Sequence, residues 1–178
     1  MTAGSLQTAI RCLQISDVWQ HQVSAFLHDS LQAAAKFPSE YDVLFKHTVA
    51  RTLWGKADDD EGPYVFRVHI DLGVKFVASD ETAKSLDQEA SPSRKVSDSG
   101  SSSEEEDVEP LAQIETTYVA EYLADEDPGQ EALKAFAIRN ASYHVWPFWR
   151  EFLSSQCMRM NLPKVSLPLQ SVTQQARE

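Results

Sequence analysis

Five histidines (His21, His28, His47, His69 and His144), two cysteines (Cys12 and Cys157) and two strand carboxylates (Glu115 and Glu121) are the side chains of this 178-residue chain best suited to chemistry. The histidines show no paired ligand spacing, so no metal site is expected. Glu115 and Glu121 point outward on one strand, where solvated carboxylates are the common case and an acid–base pair the rare one. Cys157 has no local feature to lower its pKa, and it reads as a packed thiol rather than a nucleophile. The run DDDEG (58–62) lacks the alternate-position ligands and distant glutamate of a calcium loop and reads as a solvated turn. Asn140-Ala141-Ser142 fits a glycosylation sequon, which has no meaning on a cytosolic helix. With six glycines in the whole chain and no glycine-rich phosphate loop, nothing assembles a catalytic constellation. A small-ligand enzyme is the weakest reading, and no cofactor is expected.

Length and composition allow one domain with a real core, over 1–178. Net charge is −11, but it is uneven. Residues 79–110 carry ten acids and three bases, whereas the remainder carries seventeen acids and thirteen bases. The folded part is mildly acidic, with no basic stripe for phosphates, so nucleic acid is an unsuitable ligand. No window has the apolar length of a membrane span, and the N-terminus lacks the pattern of a secretory signal. Two cysteines without metal spacing or disulfide density suit a reducing cytoplasm.

The elements that would position these side chains follow from periodicity. Over PYVFRVHIDLGVKFV, Tyr64, Phe66, Val68, Ile70, Leu72, Val74 and Phe76 share one face, against Arg67, His69, Asp71 and Lys75 on the other. That is an antiparallel strand with one dry and one wet face. Residues 41–54 form a similar strand, joined to it by a hairpin-like loop, GKADDDEGP. In LAQIETTYVAEYLA, Ala112, Ile114, Thr116, Tyr118, Ala120 and Tyr122 oppose Gln113, Glu115, Thr117 and Glu121. LQTAIRCLQISDVWQ, 6–20, reads as a further strand, followed by a connection too long for a tight hairpin. Residues 79–110, serine-rich, acidic and without aromatics, read as a disordered insertion, and 170–178 as a flexible tail.

The last third is helical. Leu133, Phe136 and Ala137 start a first helix, and Pro147 predicts a kink or a break into two helices near Trp146. On a helix of 145–160, Trp146, Trp149, Leu153, Cys157 and Met160 form one stripe, and Val145, Phe148 and Phe152 form a second. Arg150, Glu151 and Ser154 mark the wet side. The two stripes span more circumference than one sheet face covers. The order implies an α+β fold, a four-stranded antiparallel sheet with two C-terminal helices packed on one face. The surplus apolar surface is core, a subunit interface or a groove for apolar polypeptide.

The run FAIRNASYHVWPFWREFLSSQCMRMNLPKVSLP (136–168) resembles the C-terminal helices of the SecB family of chaperones, in particular the SecB-like chaperones of toxin–antitoxin systems. The shared features are Asn140, Tyr143, Trp146-Pro147-Phe148, Arg150-Glu151 and Met160-Asn161-Leu162-Pro163. The resemblance covers roughly 6–77 and 111–170, leaving the acidic insertion outside. It implies a SecB-like fold, a homotetramer built as a dimer of dimers, and ATP-independent holding of unfolded polypeptides. Client contacts would fall on Phe26, Leu27 and Phe37 of the crossover, and on Tyr143, Trp146, Phe148, Trp149 and Phe152 of the helices.

It also implies a docking surface for the translocase ATPase on the outer sheet face, where Glu115 and Asp17 would stand. Here the sequence departs from the family. Asp17 is shifted by one and Gln20 replaces a glutamate, and a one-residue shift would turn a side chain to the other face. A dedicated partner such as an antitoxin gains weight accordingly. An adaptor of the same fold that recognises one folded partner, through the insertion, is the alternative.

Overall fold

The computed structural model describes residues 3–32, 37–57, 62–79 and 110–167. Four strands, β1 (Gln14–Leu27), β2 (Tyr41–Lys56), β3 (Tyr64–Ala78) and β4 (Ala112–Ala124), form one antiparallel sheet in the order β1-β4-β3-β2. Helix α1 (Ala3–Cys12) precedes the sheet, a short α2 (Asp29–Gln32) lies in the crossover, and α3 (Gln130–Phe136) and α4 (Ser142–Arg159) follow it. The expected insertion and tail lie outside the described residues, apart from Ser79 and Pro110 at the insertion's ends.

The alternation read along β3 and β4 is the alternation found. Phe66 pairs with Tyr122, Val68 with Ala120, Ile70 with Tyr118 and Val74 with Ile114, so both apolar sets share one face, here called inner. All eight side chains are buried. The strands also re-form immediately around the long β3–β4 connection: the Leu111 N–H donates to the Phe76 carbonyl at 2.8 Å. Loop closure costs little more for a long connection than for a short one, so such an insertion is compatible with the same sheet.

Three expectations are corrected. Residues 6–12 are helical, not strand: Leu6, Ala9 and Leu13 lie three and four apart, Ala9 and Leu13 are buried, and α1 packs along α3. Phe26 and Leu27 belong to the end of β1, which runs on until Leu27 pairs with Ala112. They are therefore strand residues on opposite faces rather than crossover residues. Finally, α4 passes through Pro147 unbroken, and the irregular turn is a π-helical one at Ala137–Ala141. Pro147 and Tyr143 are both exposed, so the Tyr143 carbonyl that loses its donor lies on the wet side of the helix.

Helix ends explain two further features. Gly129, at φ 87°, occupies a left-handed conformation before α3, with its N–H donated to the Asp127 carboxylate at 2.8 Å. At the other end, Asn161 takes φ 54° and the Leu162 N–H returns to the Cys157 carbonyl at 2.8 Å. Met160-Asn161-Leu162-Pro163 is thus a helix stop, with Leu162 buried and Pro163 preventing continuation.

Candidate polypeptide-binding surface

Helix α4 buries one row against the inner face: Val145, Trp149, Leu153 and Cys157, spaced four apart. The projection divides these between two stripes, but the slow drift of an i+4 row carries all four into the core. Trp149, 2% exposed, is therefore a core residue and offers no open surface. Burial also raises the Cys157 thiol pKa, in keeping with packing rather than reactivity.

The other expected helix residues flank that row. Trp146 is half-buried, its ring 6.1 Å from the His47 imidazole of β2. Beside it the His47 Nε2 lies 2.7 Å from the Ser142 hydroxyl, fixing the start of α4 over β2. On the opposite flank Phe148 stays 48% exposed, 6.5 Å from the Tyr118 ring of β4. Phe152 is half-buried against Trp149, and Tyr143 is 45% exposed. Burial, with a smaller contribution from the Glu151 charge, pushes the Tyr118 hydroxyl up to about 12, so it stays protonated and uncharged beside Phe148.

The sheet adds apolar surface of its own. Ile15 and Val23 on β1 and Phe45 on β2 share the inner face by register, yet all are exposed, Phe45 at 59%. Phe37 packs edge-on against Tyr41 and Phe76, with centroids 5.2 and 5.5 Å away, so the crossover aromatic caps one end of the core. Leu27 packs there too, half-buried. Phe26 opposes Gln113 on the outer face and cannot join a groove on the inner one.

A cavity of about 600 Å³ lies between β2 and α3. Val49, Thr52, Trp54 and Phe66 form one wall, and Leu133, Ala137 and Ile138 the other, with Glu131 and Lys134 at the mouth. Its origin is visible in the packing, because α1 lies along α3 and no described helix covers the β2 side in the same way. The sequence reading missed this site. Its one signal was Trp54 and Ile138, apolar residues in exposed stretches of different elements.

The outer face carries the charges. Asp17 pairs with Glu121, and Ser24 with Glu115, so both docking candidates lie on this face. A β-bulge at Ser16 precedes Asp17, and beyond it the Asp17 side chain stands on the outer face. A second bulge, at His21, is held by buried Thr116, whose hydroxyl donates to the Gln22 carbonyl at 2.9 Å and accepts from the Gln20 amide at 3.0 Å. Glu115 faces Lys46 at 3.5 Å, and Arg67 pairs with Glu121 at 2.7 Å beneath Trp19. His69 is 5% exposed, edge-on to His21 at 5.5 Å, and its Nε2 has no partner among the described residues.

Order β1-β4-β3-β2, a crossover after β1 and a long C-terminal helix on the inner face form one distinctive arrangement, and a solved structure shares it. The match is the Mycobacterium tuberculosis Rv1957 SecB-like chaperone in complex with a ChAD peptide from the Rv1956 HigA1 antitoxin, with a TM-score of 0.59 over 94% of this chain and 97% of that one. The chain has the SecB-like fold. Identity to that structure is 18%, so the likeness is one of architecture. No family model and no curated protein matches the sequence. No helix among the described residues is long and apolar enough to cross a membrane.

Proposed function

We propose that the chain is a polypeptide-binding chaperone that holds non-native segments without nucleotide. The carrying observation is the apolar surface left open in one chain: Ile15 and Val23 on β1 and Phe45 on β2, on the inner face, with Phe148 on the flank and Tyr143 on the outward side of α4. A free subunit exposing this much aromatic and branched surface gains by covering it, either with sister subunits or with an unfolded guest. Mass action then withdraws the unfolded chain from aggregation. The fold it shares with a chaperone solved with an antitoxin peptide supports the same reading, and favours a dedicated partner over general export.

On this reading Phe148, Tyr143, Trp146 and Phe152 divide between client contact and the contacts of a homotetramer in the cytoplasm. Phe37 and Leu27 contribute beside the crossover, and Asp17 and Glu115 form an outer face for a partner such as the translocase ATPase. Trp149 acts only by holding α4 in place. The test is aggregation of a chemically unfolded client with and without a molar excess of the protein, in the absence of ATP. Suppression is expected, and client aggregation that proceeds unchanged overturns the proposal. Light scattering reports the assembly: a monomer at micromolar concentration removes the tetramer.

A further inference from the structure

His69 is the one buried histidine among the described residues, 5% exposed, and it stands on the outer face of the sheet rather than in the core. Its cover is thin. The His21 ring meets it edge-on at 5.5 Å, Arg51 lies opposite it in the β2–β3 pairing, and Arg67 precedes it by two residues on the same face of β3. All three covering side chains are themselves exposed. The acids of this region are already engaged. Arg67 holds Glu121 at 2.7 Å, and Asp71 accepts from the Thr117 hydroxyl at 2.7 Å with the Lys46 ammonium 4.0 Å away. Asp17 lies beyond, opposite Glu121. The site therefore suits a neutral imidazole and offers a charged one no uncommitted carboxylate among the described residues.

His21 is the extra residue of the second β1 bulge, between the pairs Gln20–Tyr118 and Gln22–Thr117. On the inner face the Thr116 hydroxyl holds the residues on either side of it, and on the outer face its ring rests against His69. β1 is an edge strand, paired on one side only. We propose that His69 and His21 form an acid-sensitive latch: a proton on His69 drives the two rings apart and opens β1 at its bulge, while β2, β3 and β4 stay paired. The latch is a property of the sheet and does not rest on the chaperone reading. Because β1 also carries Ile15 and Val23, it makes that part of the open apolar surface responsive to acid.

Solvation and charge set the direction. Burial first, then Arg51, His21 and Arg67, oppose a proton on His69, and Asp71 alone favours it. Once the proton is bound, the charge regains water only by shedding part of its cover. Arg67 is held by Glu121 and packs against the Trp19 ring. His21 is carried by a bulge, where the strand gives up no regular ladder pair on moving. The opened form binds the proton at the ordinary imidazole value of 6.5 and the closed form below it, so opening grows as pH falls below 6.5.

The test is fluorine NMR of the full chain labelled with 5-fluorotryptophan, titrated from about pH 8 to about pH 5.5, with the Trp19 signal assigned by Trp19→Phe. Trp19 adjoins the bulge on the face that carries His69 and is expected to move with a midpoint below 6.5, while Trp54 on β2 and Trp149 in the core stay fixed. Arg51→Gln removes the leading opposing charge and should raise the midpoint by about 0.5 pH. His69→Asn should abolish the transition. Amide exchange over 19–23, corrected for its intrinsic rate, should quicken about tenfold between pH 7.5 and pH 6 in the wild type and not in His69→Asn. Arg51 is exposed, so Arg51→Gln decides the matter if His69→Asn folds poorly. A Trp19 signal that stays still, that titrates alike in His69→Asn, or that keeps its midpoint in Arg51→Gln overturns the proposal. So does a Trp149 signal moving in step with Trp19, which would mean that acid unfolds the whole chain.

Discussion

The Tyr122 hydroxyl and the His144 Nδ1 lie 2.9 Å apart, joining the middle of the sheet to the first turn of α4. Phe136 completes the cluster, its ring edge-on to Tyr122 at 4.9 Å. One buried tyrosine thereby meets both C-terminal helices, on either side of the π-helical turn. Burial raises the pKa of Tyr122 and lowers that of His144, so the contact joins a neutral phenol to a neutral imidazole.

Replacing Tyr122 by Phe keeps the ring and removes the hydroxyl. His144 Nδ1 is then left half-buried without this partner, at a cost of about 1–2 kcal/mol. Urea denaturation should show an earlier midpoint with an unchanged slope. An unchanged midpoint would mean that water replaces the phenol.

His69 and His144 both have lowered pKa values, each through burial first, and for His69 also through Arg51, His21 and Arg67, with Asp71 opposing. A base whose folded pKa lies below its unfolded 6.5 binds fewer protons when folded, so its stabilising contribution is present above that value and is lost as pH falls toward the folded pKa. Stability is expected to decline from pH 7.5 to 5.5, and His69→Asn with His144→Gln should flatten that decline. An equally steep decline in the double variant would assign it to other groups.

Trp149 and Phe148 are neighbours in sequence with opposite fates, and their alanine variants should separate folding from capture. Trp149→Ala opens the core and is expected to cost about 3–5 kcal/mol. Phe148→Ala removes an exposed ring and should change stability by no more than about 0.5 kcal/mol. On the proposed function it reduces client holding instead. Paired denaturation and aggregation assays read the difference.

Gly73 lies against a charged residue of the outer face. A Cβ there would sit 3.0 Å from the Glu115 Cγ, and Gly73 is opposite Glu115 in the β3–β4 pairing. Gly73→Val should therefore displace the Glu115 side chain from Lys46 and lower stability by about 1–3 kcal/mol through overpacking. A crystal structure of the variant with Glu115 still beside Lys46 would contradict this.

How much of this was legible depends on what each element answers to. β3 and β4 have one dry face and one wet face, so their residues alternate and their inward sets could be read directly. α1 was misread because Leu6, Ile10 and Leu13 fit a helix, while the strand that follows continues the apolar pattern without a clear stop. The bulges at Ser16 and His21 are defined by the partner strand, and the second depends on the Thr116 hydroxyl, distant in sequence. Of the kink or break that Pro147 predicted, the break did not occur, because a helix facing water can leave a carbonyl unpaired. The candidate helix residues were found as a group, but their division into sealed and open was set by which row met the sheet. The β2–α3 cavity was illegible since it records where α1 does not reach.

The two outermost strands, β1 and β2, each interrupt their regular pairing with an extra residue, at Ser16 and His21 in one and at Ala50 in the other. Were both borders straight, the β1 of one molecule could abut the β2 of the next, and that head-to-tail step repeats without end, as in a fibre. Each interruption shortens the straight run that a neighbouring molecule could extend, a safeguard suited to a protein whose proposed work is to keep sticky strands in solution.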